Sequence, residues 1–119
     1  MTRAIVLFGH GSRDPQWREP MEAVARRIRA RVAQVEVRCA FLELEQPDLA
    51  AAVSELAAAG ADSVRIVPMF LGAGRHARED LPRLVEQCRR EHPTLPIELQ
   101  AAVGENPRVL DLLAALALE

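Results

Sequence analysis

Apolar and polar positions alternate along the chain in two rhythms that take turns. Ala4-Ile5-Val6-Leu7-Phe8 is wholly apolar over the length of one strand, the pattern of a strand covered on both faces. Met21, Val24, Ala25, Ile28 and Val32 then recur at helical spacing with Arg26, Arg27, Arg29 and Arg31 between them, which predicts an amphipathic helix. Pro20 fits the first turn of that helix, so residues 15–19 form a separate short turn carrying Trp17.

The run from Val35 to Leu42 alternates and then becomes apolar throughout, predicting a second strand that ends at Glu43. Gln46-Pro47-Asp48 supplies a helix start, with proline at the first position and an acid in the first turn. The stripe Leu49, Ala52, Val53, Leu56 follows, and Gly60 closes the helix as a left-handed cap. Residues 63–71 read as a third strand running into a loop, because Pro68 cannot donate to a central ladder. Beyond the loop Gly72-Ala73-Gly74-Arg75-His76, a third helix is expected from Asp80, with Pro82 near its start and Pro93 marking its end. Residues 95–99 give a short fourth strand. Asn106-Pro107 caps a last helix whose Val109, Leu110, Leu112, Leu113, Leu116 and Leu118 form a belt broader than one sheet face needs, the mark of a subunit interface or of a frayed, simply hydrophobic end.

The order βαβαβαβα with right-handed crossovers predicts an α/β fold: a four-stranded parallel sheet of order 2-1-3-4, flavodoxin-like, with helices on both faces. At 119 residues, one domain spanning 1–119 is expected. Half the residues are apolar and the net charge is −2, which excludes a disordered chain or an obvious binder of polyanions. All 15 basic residues are arginine, which codon bias explains more simply than function does. Cys39 and Cys88 have no CxxC partner and read as reduced core residues. Met1-Thr2-Arg3 leads into a strand too short for a signal core or a membrane span, so a soluble, cytoplasmic protein is expected.

In this order the chain reverses direction between strands 1 and 3, and ligands bind above the carboxyl ends at such a point. The loops there carry His10 and His76, while Glu43 ends the neighbouring strand 2. His10 stands between Gly9 and Gly11, a poor setting for a packing residue and a good one for meeting a ligand. Two imidazoles and a carboxylate on separate loops suit a divalent transition metal or a proton-transfer site, and spacing alone does not separate the two. Ser12, Arg13, Arg75 and Arg78 flank the same crevice, where carboxylates or phosphates would be welcome. Trp17 either walls the crevice or packs on its own helix, and His92 reads as a surface partner of a helix end.

Three motifs, Gly-His-Gly-Ser-Arg-Asp-Pro at 9–15, Phe-Leu-Glu at 41–43 and Pro-Met-Phe-Leu-Gly-Ala-Gly-Arg-His-Ala-Arg-Glu-Asp-Leu-Pro at 68–82, together resemble the short, single-lobe sirohydrochlorin chelatases of the class II chelatase superfamily. The resemblance implies a lyase that inserts cobalt, iron or nickel into sirohydrochlorin or a related tetrapyrrole, in cobalamin or siroheme-type biosynthesis, working as a homodimer. It implies no tightly bound cofactor, the divalent metal being a substrate. It assigns His10 and His76 as the metal-binding and proton-accepting pair with Glu43 assisting, and gives Ser12, Arg13, Arg75 and Arg78 the substrate's carboxylates to bind. Phe8, Met69, Phe70 and Leu71 are candidates to pack the macrocycle, with those in strands equally able to be core. Position 75 is arginine where some relatives carry a second histidine, and the chain has no histidine-rich or cysteine-bearing extension.

Two other readings use the same residues. A carrier of metal or tetrapyrrole needs the same ligands without turnover. Gly-His-Gly after a first strand is also similar to the nucleophilic histidine motif of phosphohistidine phosphatases, but that motif has arginine directly before the histidine, and Gly9 removes this phosphate clamp.

Overall fold

A computed structural model describes residues 2–119. The strands are β1 (Arg3–Gly9), β2 (Glu36–Phe41), β3 (Ser63–Pro68) and β4 (Ile97–Leu99), and the helices are α1 (Glu19–Arg31), α2 (Leu49–Ala58), α3 (Arg75–Glu91) and α4 (Pro107–Ala117). All pairings are parallel and the order is β2-β1-β3-β4, as the apolar runs and the crossover rule predict.

Side-chain alternation along β1 divides the core in two. Ala4, Val6 and Phe8 point toward α2 and α3, joining Leu49, Val53, Leu56, Val64, Ile66, Leu81 and Val85. Leu7 points the other way, toward Met21 and Ala25 of α1 and Val37, Cys39 and Phe41 of β2. Each buried Val, Leu, Ile, Phe or Met among them stabilises the fold by roughly 1.5–3 kcal/mol relative to exposure. Phe8 is fully buried and meets the Phe70 ring edge-on at 6.2 Å, so it is core and does not face a ligand. Cys39 and Cys88 are buried and unpaired, as expected for core thiols.

Local signals explain most element ends. Asp14 caps a 3-10 turn over Pro15–Arg18 that carries Trp17 and precedes α1, with Pro20 in the first turn of that helix. Gly60 (φ +91°) ends α2: its N–H reaches the Ala57 carbonyl and the Ala61 N–H reaches that of Leu56, a Schellman closure. Asn106 caps α4 by accepting from the Arg108 N–H.

Two expected starts are wrong. Pro47 does not open α2; Asp48 is the cap, accepting from the Ala51 N–H at 2.9 Å, and the helix begins at Leu49. Nor does α3 wait for Asp80. It begins at Arg75, so Pro82 lies inside a 17-residue helix. The proline deprives the Arg78 carbonyl of its usual amide partner, and it does so on the exposed side of the helix, where that loss is cheapest.

Candidate active site

The loop after β1 is built onto the loop after β2. Past the last strand pair, Leu42 donates its N–H to the Gly9 carbonyl and Glu43 donates to the His10 carbonyl. Gly11 adopts φ +102°, and a Cβ there would lie 1.8 Å from the Glu43 carbonyl oxygen, so only glycine permits this approach. The Ser12 N–H donates to Glu45 Oε1, while the Ser12 hydroxyl oxygen accepts from the Asp14 N–H at 3.0 Å. Arg18 closes the lacing: it reaches Glu45 at 3.4 Å and Glu22 at 3.0 Å, with its guanidinium 4.7 Å from the centre of the Phe41 ring. Leu44, between the two acids, holds φ +68° without being glycine, a costly conformation of the kind that gathers at functional loops.

On this frame the His10 ring and the Glu43 carboxylate meet, Nε2 to Oε1, at 2.9 Å, each side chain 48 % exposed. A carboxylate on one ring nitrogen fixes the tautomer and orientation of the imidazole and leaves Nδ1 for a metal or a proton. Two of the three predicted catalytic side chains are therefore in contact.

The third, His76, lies in the first turn of α3 and pairs with Asp80 one turn on, Nε2 to Oδ2, at 2.9 Å. Asp80 is the more sheltered partner, at 18 % side-chain exposure against 73 % for His76, and it also holds Arg83. The spacing His-x-x-x-Asp marks this pair in sequence, and it goes unread when the helix is started at Asp80. Among the described residues, no three His, Cys, Asp or Glu side chains converge into a metal-holding group.

The arginines differ. Arg13 is exposed, and neither it nor Arg78 has an ion pair among the described residues, whereas Arg75 is paired with Glu79 at 3.0 Å. Arg78 borders an apolar hollow of about 210 Å³ between the ends of β3 and β4 and the first turns of α3, lined by Pro68, Phe70, Ala77 and Leu81. Met69 and Phe70 are half-buried and Leu71 is exposed. Trp17 lies against Phe41 at 6.2 Å and beside Gly9, on the α1 side of the sheet. His92 caps the end of α3 and meets the Ser54 hydroxyl at 3.2 Å.

The CbiX family model matches residues 4–119. The chain belongs to the CbiX family. The sirohydrochlorin cobaltochelatase of Methanopyrus kandleri is 37% identical over 82 residues, which are 69% of this chain and 57% of that one. The chain thus spans a little over half the length of this curated relative. A CbiX protein from Marinobacter aquaeolei VT8 has a similar structure, with a TM-score of 0.82, 32% identity and coverage of 97% of this chain and 93% of that one. The sirohydrochlorin chelatase SirB from Bacillus subtilis subspecies spizizenii, solved in complex with cobalt, has a TM-score of 0.72 and 27% identity, over 83% of this chain and 42% of that one. For a CbiX family member the fold and the three motifs agree. What the loops add is the local chemistry: an oriented imidazole beside a carboxylate, and a second such pair at the start of α3.

Proposed function

We propose that this chain is a sirohydrochlorin chelatase that inserts a divalent metal, cobalt foremost and iron or nickel in addition, into a tetrapyrrole for a cobalamin or siroheme-type cofactor. The His10–Glu43 pair, beyond the carboxyl end of the central strand, is the observation that carries this reading. Names of the matched relatives support the substrate and the metal.

Insertion exchanges one divalent cation for two pyrrole N–H protons, so the site must hold a metal, release it and accept protons. A closed set of four protein ligands would keep the ion. In this reading His10 and His76 offer imidazole nitrogens to the metal or to a pyrrole proton, imidazole and carboxylate ligands suiting several divalent ions. Glu43 orients His10 and receives a proton from it. Arg13, Arg75 and Arg78 meet the substrate's carboxylates, and Ser12 keeps its hydroxyl hydrogen for the same use while its oxygen serves the loop. No resident cofactor takes part, and two copies of the chain act together. The cytoplasm is the compartment in this reading, and it suits two buried free thiols.

The test is an anaerobic mixture of the protein with sirohydrochlorin and Co²⁺, Fe²⁺ or Ni²⁺, followed by the visible spectrum of the tetrapyrrole. Acceleration over the spontaneous rate through several turnovers is expected; a single stoichiometric burst would identify a carrier, and no acceleration with any metal would overturn the proposal.

A further inference from the structure

Glu43 and Glu45 leave the same loop and both reach the loop after β1, but they serve different parts of it. Glu43 meets the His10 ring. Glu45 meets the backbone two residues on: its Oε1 accepts from the Ser12 N–H at 2.9 Å, while its Oε2 faces Arg18 at 3.4 Å. At 11 % side-chain exposure it is far more sheltered than Glu43, at 48 %. A carboxylate this sheltered is costly unless its oxygens are answered, and here an amide and a guanidinium answer one each. The His10–Glu43 and His76–Asp80 pairs do not use it.

The residues from Ser12 to Asp14 show what Glu45 holds. The Ser12 hydroxyl oxygen accepts from the Asp14 N–H, and Asp14 Oδ1 accepts in turn from the Gln16 N–H as the cap of the 3-10 turn. Arg13 stands exposed between these two fixed residues. Those bonds are local to the turn, whereas the Ser12–Glu45 bond ties the turn to the loop after β2. The His10 end has an anchor of its own: the Leu42 and Glu43 N–H groups, donating to the Gly9 and His10 carbonyls at 2.9 and 3.1 Å, prolong the β1–β2 register. Two tethers thus join the loops, a backbone bond at His10 and a side-chain bond at Ser12. Gly11 lies between them on one loop and Leu44, at φ +68°, on the other. A non-glycine residue keeps such a conformation where its surroundings fix it, and a tether on either side does so.

We infer that Glu45 is a positioning residue: it holds Ser12 and Arg13 in the place where they meet a carboxylate of the substrate, and leaves the His10–Glu43 pair to the sheet. Arg18 makes this arrangement workable. Its charge offsets that of Glu45 beside a segment that receives anions, and its bond to Glu22 of α1, at 3.0 Å, fixes the guanidinium in place. The inference rests on the chelatase reading for what Ser12 and Arg13 meet; the tether itself does not depend on that reading.

Glu45→Met and Glu45→Gln are close in size and both lack the charge, so they differ chiefly in the acceptor offered to the Ser12 N–H. In metal insertion, KM for sirohydrochlorin is expected to be about three- to tenfold higher in Glu45→Met than in Glu45→Gln, the worth of one hydrogen bond. The two kcat values are expected to agree within about twofold. Backbone amide NMR relaxation is expected to show lower order at Ser12 and Arg13 in Glu45→Met alone, with the Glu43 amide unchanged. Equal KM values overturn the role, as does a fall in kcat matching any rise in KM. Failure of Glu45→Met to fold where Glu45→Gln folds makes Glu45 a structural residue and overturns it too. A wild type that inserts no metal overturns the chelatase reading instead, and relaxation then decides the tether: unchanged order at Ser12 and Arg13 overturns it, and loss confined to them sustains it.

Discussion

Glu43 reaches His10 because the backbones beneath them are already joined. The Glu43 N–H donates to the His10 carbonyl at 3.1 Å, and the side chains then meet at 2.9 Å. The contact is thus a product of the sheet: β2 continues to bond β1 beyond the last strand pair, and both loops inherit its register. If the pair transfers protons, His10→Ala is expected to lower metal insertion by about 10²–10⁴-fold, the usual worth of a positioned acid–base group. Glu43→Gln keeps a hydrogen-bonding side chain but loses the charge, and a smaller loss of about tenfold is expected. Initial rates at saturating sirohydrochlorin check both, and full rates in both variants would remove the pair from the mechanism.

Gly11 makes the approach of the two loops possible. Alanine there would combine a disfavoured positive φ, costing about 1–3 kcal/mol, with a Cβ set against the Glu43 backbone. Gly11→Ala is expected to lower the melting temperature by on the order of 10 °C and to cost activity together with stability. Gly9→Ala is the comparison. The nearest atom to its Cβ is the Met21 sulfur at 2.6 Å, in a flexible side chain, so a milder effect is expected. Equal melting temperatures for the two variants would contradict this account.

Sequence carried the fold well because strand-length apolar runs and crossover handedness leave few topologies, and 2-1-3-4 is the arrangement observed. It carried the site less well. Proline is a strong marker of helix starts, and that cue misled at both Pro47 and Pro82, since Asp48 is a better cap and an exposed helix side tolerates Pro82. The second error hid Asp80. Glu45 and Arg18 were illegible for a different reason: they meet across loops of irregular backbone, where no period relates position to direction. The apolar belt of α4 was legible from its leucines, and the structure adds that those leucines stand exposed.

Asp80 now stands to His76 as Glu43 stands to His10. His76→Ala is expected to reduce insertion by about 10²-fold or more if this imidazole receives metal or proton. Asp80→Asn keeps a hydrogen-bond partner of the same shape, and about a three- to tenfold loss is expected, seen as weaker use of metal at limiting concentration. The binding of Co²⁺ to the unloaded protein, followed by calorimetry, should weaken in the same order. Wild-type affinity and rate in His76→Ala would confine the chemistry to the loops after β1 and β2.

The buried thiols make stability depend on alkaline pH. Burial pushes Cys39 from 9.0 up to about 11, with the Glu22 carboxylate adding to the rise and Arg18 and Arg29 opposing it. Burial likewise raises Cys88 to about 11, aided by Glu91 and Asp48. The folded state therefore holds these protons more tightly than the unfolded chain. Their contribution is whole below pH 9 and is lost as pH rises through 11, by about 2–3 kcal/mol for each thiol. Cys88→Ala loses packing at every pH but has no thiol to ionise. Its deficit relative to wild type, measured by urea unfolding in the presence of reductant, is expected to shrink by about 2 kcal/mol between pH 8 and pH 11. A deficit that stays constant over that range would show that the Cys88 thiol is not held protonated by the fold.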